Sequence, residues 1–151
     1  MGIAIAFLGT GTCHATPRNP SSMAISNGKH VALIDCGGGC YHQLTRISDS
    51  RFRFDAVTSV LLTHFHADHT AGLIDLLWGE MWGSRGPRTE PLTIAGPVGV
   101  KVFVENRLLP FLGNYRPPFP ISIVEISYEE KRDFGFFNAR VEKAEVTFLF
   151  V

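Results

Sequence analysis

The chain has 151 residues, with 14 Lys+Arg against 14 Asp+Glu, 45% hydrophobic residues and 19% charged ones. That length fits one domain, and so apolar a chain with no net charge excludes intrinsic disorder. Balanced charge also removes any global pull toward nucleic acid or an anionic membrane. No window reaches the roughly 18–20 apolar residues of a membrane span, and Ile3 to Leu8 is too short, and lacks the basic flank, for a secretion signal. A cytoplasmic setting with no membrane partner is expected. Three cysteines, Cys13, Cys36 and Cys40, cannot all pair, so they are read as thiols.

The apolar run Ile3 to Leu8, stopped by Gly9-Thr10-Gly11, predicts a buried strand. Ser22 to Ser26 and Val31 to Asp35 flank Asn27-Gly28, the dipeptide that most favours a hairpin turn. Cys40 to Ile47 predicts a helix. Val57 to Thr63, rich in β-branched residues, predicts a core strand. Leu73, Ile74, Leu77, Trp78 and Met81 recur at helical spacing, with Asp68 or Thr70 as the expected N-cap. Pro91 to Ala95 predicts a strand, Val98 to Leu109 a helix, and Ile121 to Ser127 and Val141 to Val151 two more strands around a turn near Asp133-Phe134-Gly135. Gly83 to Pro91 and Gly113 to Pro120 are loops. Strands alternating with helices make the class α/β or α+β.

The most informative stretch is Thr63-His64-Phe65-His66-Ala67-Asp68-His69, which puts three imidazoles and a carboxylate at the end of the predicted core strand. In extended chain, residues i and i+2 point the same way, so His64 and His66 can converge on one ion. The turn into the next helix then swings Asp68 and His69 toward a second position. Imidazole and carboxylate are donors zinc accepts, and a catalytic zinc keeps a position open for water whose pKa falls to roughly 7. A solvated histidine-rich turn is the plainer alternative. His14, His30 and His42 read as turn or surface residues, and Cys36 with Cys40 as buried thiols rather than a zinc ribbon. Arg85 and Arg88 are candidate phosphate contacts.

His64-x-His66-x-Asp68-His69 resembles the signature of the metallo-β-lactamase fold. Phe7-Leu8-Gly9-Thr10-Gly11, Arg18-Asn19-Pro20-Ser21-Ser22, Asp35-Cys36-Gly37 and His42-Gln43-Leu44 resemble segments of its ribonuclease Z (tRNA 3′-endonuclease) branch. This resemblance implies an αβ/βα sandwich with two zinc ions, manganese being the other candidate, that hydrolyses a phosphodiester such as one at the 3′ end of a tRNA precursor. By the same resemblance His64 and His66 would hold one ion, and Asp68 and His69 the second. Asp68 would also transfer protons, and Asp35 would orient the metal loop from behind.

No histidine follows His69, so the family's downstream ligands have no match. Residues 1–151 are therefore read as the N-terminal portion of a single such domain, about the first half of the sandwich. Gly38 stands where that branch usually carries an acidic residue, and no clear counterpart of its RNA-gripping arm appears near Gly113 to Pro120. Two other functions stay open: a hydrolase of the same fold acting on a lactone, thioester or sulfate ester, and a catalytically incomplete half-domain acting through self-association. An uncovered sheet face predicts a homodimer or other self-assembly.

Overall fold

A computed structural model describes residues 2–14, 17–83 and 86–140. The expected strand Val141 to Val151 lies outside the described residues, as does Arg85.

Six strands form one mixed sheet in the order β1-β2-β3-β4-β5-β6. β1 (Ala4–Gly9), β2 (Ser22–Ser26) and β3 (Val31–Ile34) form an antiparallel meander. The Asn27-Gly28 turn joins β2 to β3 as expected, with Ser26 opposite Val31 and Gly28 at φ 85°. β4 (Val57–Leu61), β5 (Leu92–Pro97) and β6 (Ile121–Ile126) continue from β3 in parallel. Parallel neighbours need crossovers, and helices provide them. α1 (Cys40–Arg46) joins β3 to β4, α2 (Ala67–Thr70) and α3 (Leu73–Trp82) join β4 to β5, and α4 (Val100–Phe103) leads toward β6.

The two faces of the sheet follow from the period of two. Ala6, Ala24, Leu33, Val60, Ile94 and Ile123 lie in register across all six strands, and this face meets Leu44, Leu73, Leu77, Met81, Val100 and Leu108 in the main core. The next row, Phe7, Met23, Ile34, Leu61, Ala95 and Val124, faces the other way. Its β4 to β6 end is covered by Phe134, Phe137 and Ala139 from the hairpin of β7 (Lys131–Asp133) and β8 (Asn138–Arg140). Its β1 end is uncovered among the described residues: Phe7 is 73% exposed and Ile5 55%.

Three expectations need correction. Neither Asp68 nor Thr70 caps a helix. The caps of α2 and α3 are His66 and Gly72, neither through its side chain, and Thr70 instead donates its hydroxyl to the His66 carbonyl at 3.0 Å. The expected helix Val98 to Leu109 keeps only one α turn before widening into a π turn at Val104–Leu108 and tightening into a 3-10 turn at Leu109–Leu112, where Pro110 has no N–H to continue the ladder. β4 ends two residues before Thr63, so the histidine segment is loop rather than strand.

Candidate metal centre

Asp35 and the histidine segment sit at the carboxyl ends of the neighbouring parallel strands β3 and β4. Three backbone bonds tie them together: Asp35 N–H to the Leu61 carbonyl at 2.8 Å, Cys36 N–H to the His69 carbonyl at 2.8 Å, and Gly72 N–H to the Cys36 carbonyl at 2.9 Å. Glycine is required where these loops touch. A Cβ on Gly37 would run into the Asp68 carbonyl and one on Gly72 into the Gly37 carbonyl. The close approach seats the first turn of α2 against the β3 loop.

Asp35 is buried and adopts φ 57°, a left-handed conformation that Asp tolerates better than most residues. That conformation aims its carboxylate at the histidine segment. Oδ1 accepts the Thr63 N–H at 2.8 Å, the Thr63 hydroxyl lies 2.9 Å from Oδ2, and His69 Nδ1 lies 2.6 Å from Oδ2. An ionised carboxylate only accepts. The His69 proton therefore sits on Nδ1, leaving Nε2 with its lone pair toward Asp68. Thr63 Oγ1 spends its proton on Asp35, so it accepts from His64 Nδ1 at 3.0 Å, and His64 too presents an unprotonated Nε2. Partial desolvation first, and then the neighbouring His69 and His66 rings, hold His64 below the usual imidazole range.

The three rings are packed together. His64 and His69 centroids are 4.0 Å apart and His64 and His66 4.6 Å. Asp68 Oδ2 is 3.9 Å from His69 Nε2, within the roughly 4.1 Å spanned by two zinc–donor bonds. Among the described residues, no three His, Cys, Asp or Glu side chains are gathered into a ready cage. The donor set nevertheless fits a metal in kind, since two rings are held in the tautomer that ligates and the carboxylate–histidine partnership is the usual outer support of a metal ligand.

Thr63 is the residue sequence reasoning passed over. Its place directly before the first histidine was visible, but its partners Asp35 and His69 lie 28 and six positions away. Other expected site residues go elsewhere. Arg88, expected to meet phosphate, is locked inside the protein instead: its guanidinium bonds Glu80 Oε1 at 3.0 Å and the carbonyls of Glu90 and Pro91 at 2.6 and 3.0 Å. His30 is half-buried rather than fully exposed and stacks on Phe136. His14 and His42 are exposed. Cys36 and Cys40 are buried thiols and Cys13 is an exposed one; the adjoining Cys40 and full burial push the Cys36 thiol up. An opening of about 710 Å³ beside Phe54, Glu80 and Arg88 is lined by none of the four metal-candidate residues.

Comparison with known proteins places this geometry. A family model described as anti-Pycsar protein Apyc1 matches residues 3–104. Ribonuclease Z of Pyrococcus horikoshii is 38% identical over 136 residues, 87% of this chain and 41% of that protein. The crystal structure of human tRNase Z, short form, superposes with a TM-score of 0.66 at 28% identity, covering 82% of this chain and 45% of the other. The metallo-β-lactamase fold protein YhfI from Bacillus subtilis gives 0.66 at 20% identity over 90% of this chain and 51% of its own. The fold is thus the metallo-β-lactamase fold expected from the histidine motif, and the chain spans about two fifths of the length of the ribonuclease Z it matches.

Proposed function

The chain belongs to the family described as anti-Pycsar protein Apyc1, and on that premise we propose that it forms the N-terminal portion of a metal-dependent phosphodiesterase domain of ribonuclease Z type. The observation that carries this reading is the Asp35–Thr63–His69 arrangement, which fixes two imidazoles in the ligating tautomer beside Asp68. His64 and His66 would hold one ion, Asp68 and His69 the second, and zinc suits these donors best, with manganese as the other candidate. Bound there, the metal supplies Lewis-acid polarisation of a phosphoryl oxygen and lowers the pKa of water. Asp68 takes up and returns the proton at Oδ2, the oxygen nearest His69 Nε2. Asp35 and Thr63 keep the rings from turning. The substrate is a phosphodiester, a tRNA precursor with a 3′ extension being the one favoured by the ribonuclease Z relatives. A cytoplasmic setting agrees with three free thiols.

Elemental analysis of the zinc-loaded chain tests the assignment. The His64→Ala/His66→Ala variant is expected to lose most of its metal while keeping its fold, because neither ring is buried. Unchanged zinc content would sink the ligand set. Turnover of a phosphodiester reporter is expected in preference to a lactone and is expected to fall at least a hundredfold in Asp68→Ala. Its absolute rate should be low, since each pair offers two donors where a catalytic zinc takes three.

Self-association is supported by the uncovered strip of Ile3, Ile5 and Phe7, each more than half exposed. Sedimentation should give a species heavier than the 16.7 kDa chain, and a clean monomer contradicts it.

A further inference from the structure

We propose that α3 carries a base-stacking platform that receives the single-stranded segment of a nucleic-acid substrate next to the bond to be cut. The inference rests on the phosphodiesterase reading above and adds where the substrate lies. Asp75, Trp78 and Trp82 recur at i, i+3 and i+7 and so share one face of α3. Together with Tyr41 and His42 of α1 they line an open cleft of about 330 Å³. Tyr115 meets both tryptophans, with its ring 5.3 Å from Trp78 and 6.1 Å from Trp82, both edge to face. Trp82 is 66% exposed and Tyr115 55%. Large aromatic rings that no other described residue covers, as Trp82 and Tyr115 are here, are the feature of a stacking surface.

Charge favours a base in the cleft and phosphates beside it. Among the described residues the cleft lining contains no Lys or Arg, and Asp75 adds an acceptor suited to the amino group of a base. The cations stand at the sides. Arg116 bonds the carbonyls of Gly113 and Tyr115, both at 2.8 Å, which sets its charge against the backbone of the Tyr115 loop. Arg46 lies one turn beyond His42 on the same face of α1 and is exposed. α2 runs into α3 through Ala71 and Gly72, both right-handed helical. At 1.5 Å per residue, Trp78 and Trp82 lie roughly 13 and 20 Å along the helix from His69, the reach of a few nucleotides from the metal centre.

The chain suits the test, because Trp78 and Trp82 are its two tryptophans and its intrinsic tryptophan fluorescence reports on this platform alone. A ten-residue oligocytidylate titrated into the full chain in EDTA should quench that fluorescence saturably. Tyr115→Ala should weaken the affinity about tenfold, as loss of one stacking partner does. Trp82→Ala should do the same, read from the remaining Trp78. Phe7→Ala, equally aromatic and exposed but on the opposite face of the sheet, should leave the affinity unchanged. Absence of quenching, an affinity unchanged from the parent chain in Tyr115→Ala and Trp82→Ala, or a Trp82-dependent dimer that binds no oligonucleotide overturns the platform. Chelation keeps the oligonucleotide intact during the titration, and turnover of the small reporter is measured separately with zinc: oligonucleotide binding without reporter turnover strikes only the phosphodiesterase reading, and reporter turnover without oligonucleotide binding strikes only the platform.

Discussion

Asp35→Asn is expected to lower zinc affinity by about 10- to 100-fold, the usual effect of removing an outer partner of a metal ligand, while the chain stays folded. Asparagine tolerates the φ of 57° at this position and keeps one oxygen for the Thr63 N–H. Its amide nitrogen, however, can face His69 Nδ1 only as a donor, so the ring must accept there and carry its proton on Nε2. That is the nitrogen the metal needs. Asp35→Ala removes both acceptors and leaves the half-buried His69 Nδ1 and the Thr63 N–H and hydroxyl unmatched, so it should also cost about 1–3 kcal/mol of stability. The two variants separate orientation from folding: urea midpoints should drop much further for alanine than for asparagine, whereas zinc competition titrations should show a loss in both. Zinc affinity unchanged in Asp35→Asn would mean that His69 does not ligate through Nε2.

The second large effect lies at the buried pair Glu80 and Arg88, whose side chains are 4% and 6% exposed. Desolvation pushes the Glu80 carboxyl from its ordinary 4.5 up to about 7, against the pull of Arg88. With a folded value above the unfolded one, native chain holds the extra proton between these pH values. The stability this group contributes is therefore fully present below about pH 4.5 and lost as pH rises through about 7, a decline of roughly 3 kcal/mol at most. Urea midpoints of the parent chain should fall between pH 5 and pH 8, and Glu80→Gln, which cannot ionise, should flatten that slope. A parent profile as flat as that of the variant would refute the shift. Arg88→Ala should cost about 3–5 kcal/mol near pH 8, because it leaves a buried charge uncompensated and strips the Glu90 and Pro91 carbonyls of their donor. The loss should shrink at pH 5, where Glu80 is protonated. A sodium chloride series should change little, since bulk ions do not reach a pair this buried.

Local chemistry made much of the molecule legible in advance. Asn-Gly between two apolar runs specifies a tight turn whatever surrounds it, and β2 and β3 pair around Asn27-Gly28 as expected. The β-branched run from Val57 and the helical spacing of Leu73, Leu77 and Met81 report burial directly, and these residues are in the core. The histidine motif is compact in sequence, so its candidate donors could be named together. The fold class followed from the alternation of strands with helices and from the family likeness of that motif.

What only the tertiary structure decided is what depends on partners far apart in the chain. Asp35 reaches Thr63 and His69 across 28 and 34 positions, and no local pattern distinguishes such a carboxylate from one that merely caps a turn. Arg88 looked like a loop cation because its loop is rich in Gly and Pro, yet the short reach back to Glu80 drew it inside, where a charged pair outbids solvent only if its remaining hydrogen bonds are met. The break of the 98–109 helix and the β7–β8 hairpin over Leu61 and Ala95 likewise answer to the packing available at the sheet end. Trp78 reads as core periodicity until folding sets it with Trp82 on one open cleft, where the Tyr115 ring meets both. Helical spacing says which side chains share a face, but whether that face meets protein or water is settled by the elements that do or do not cover it.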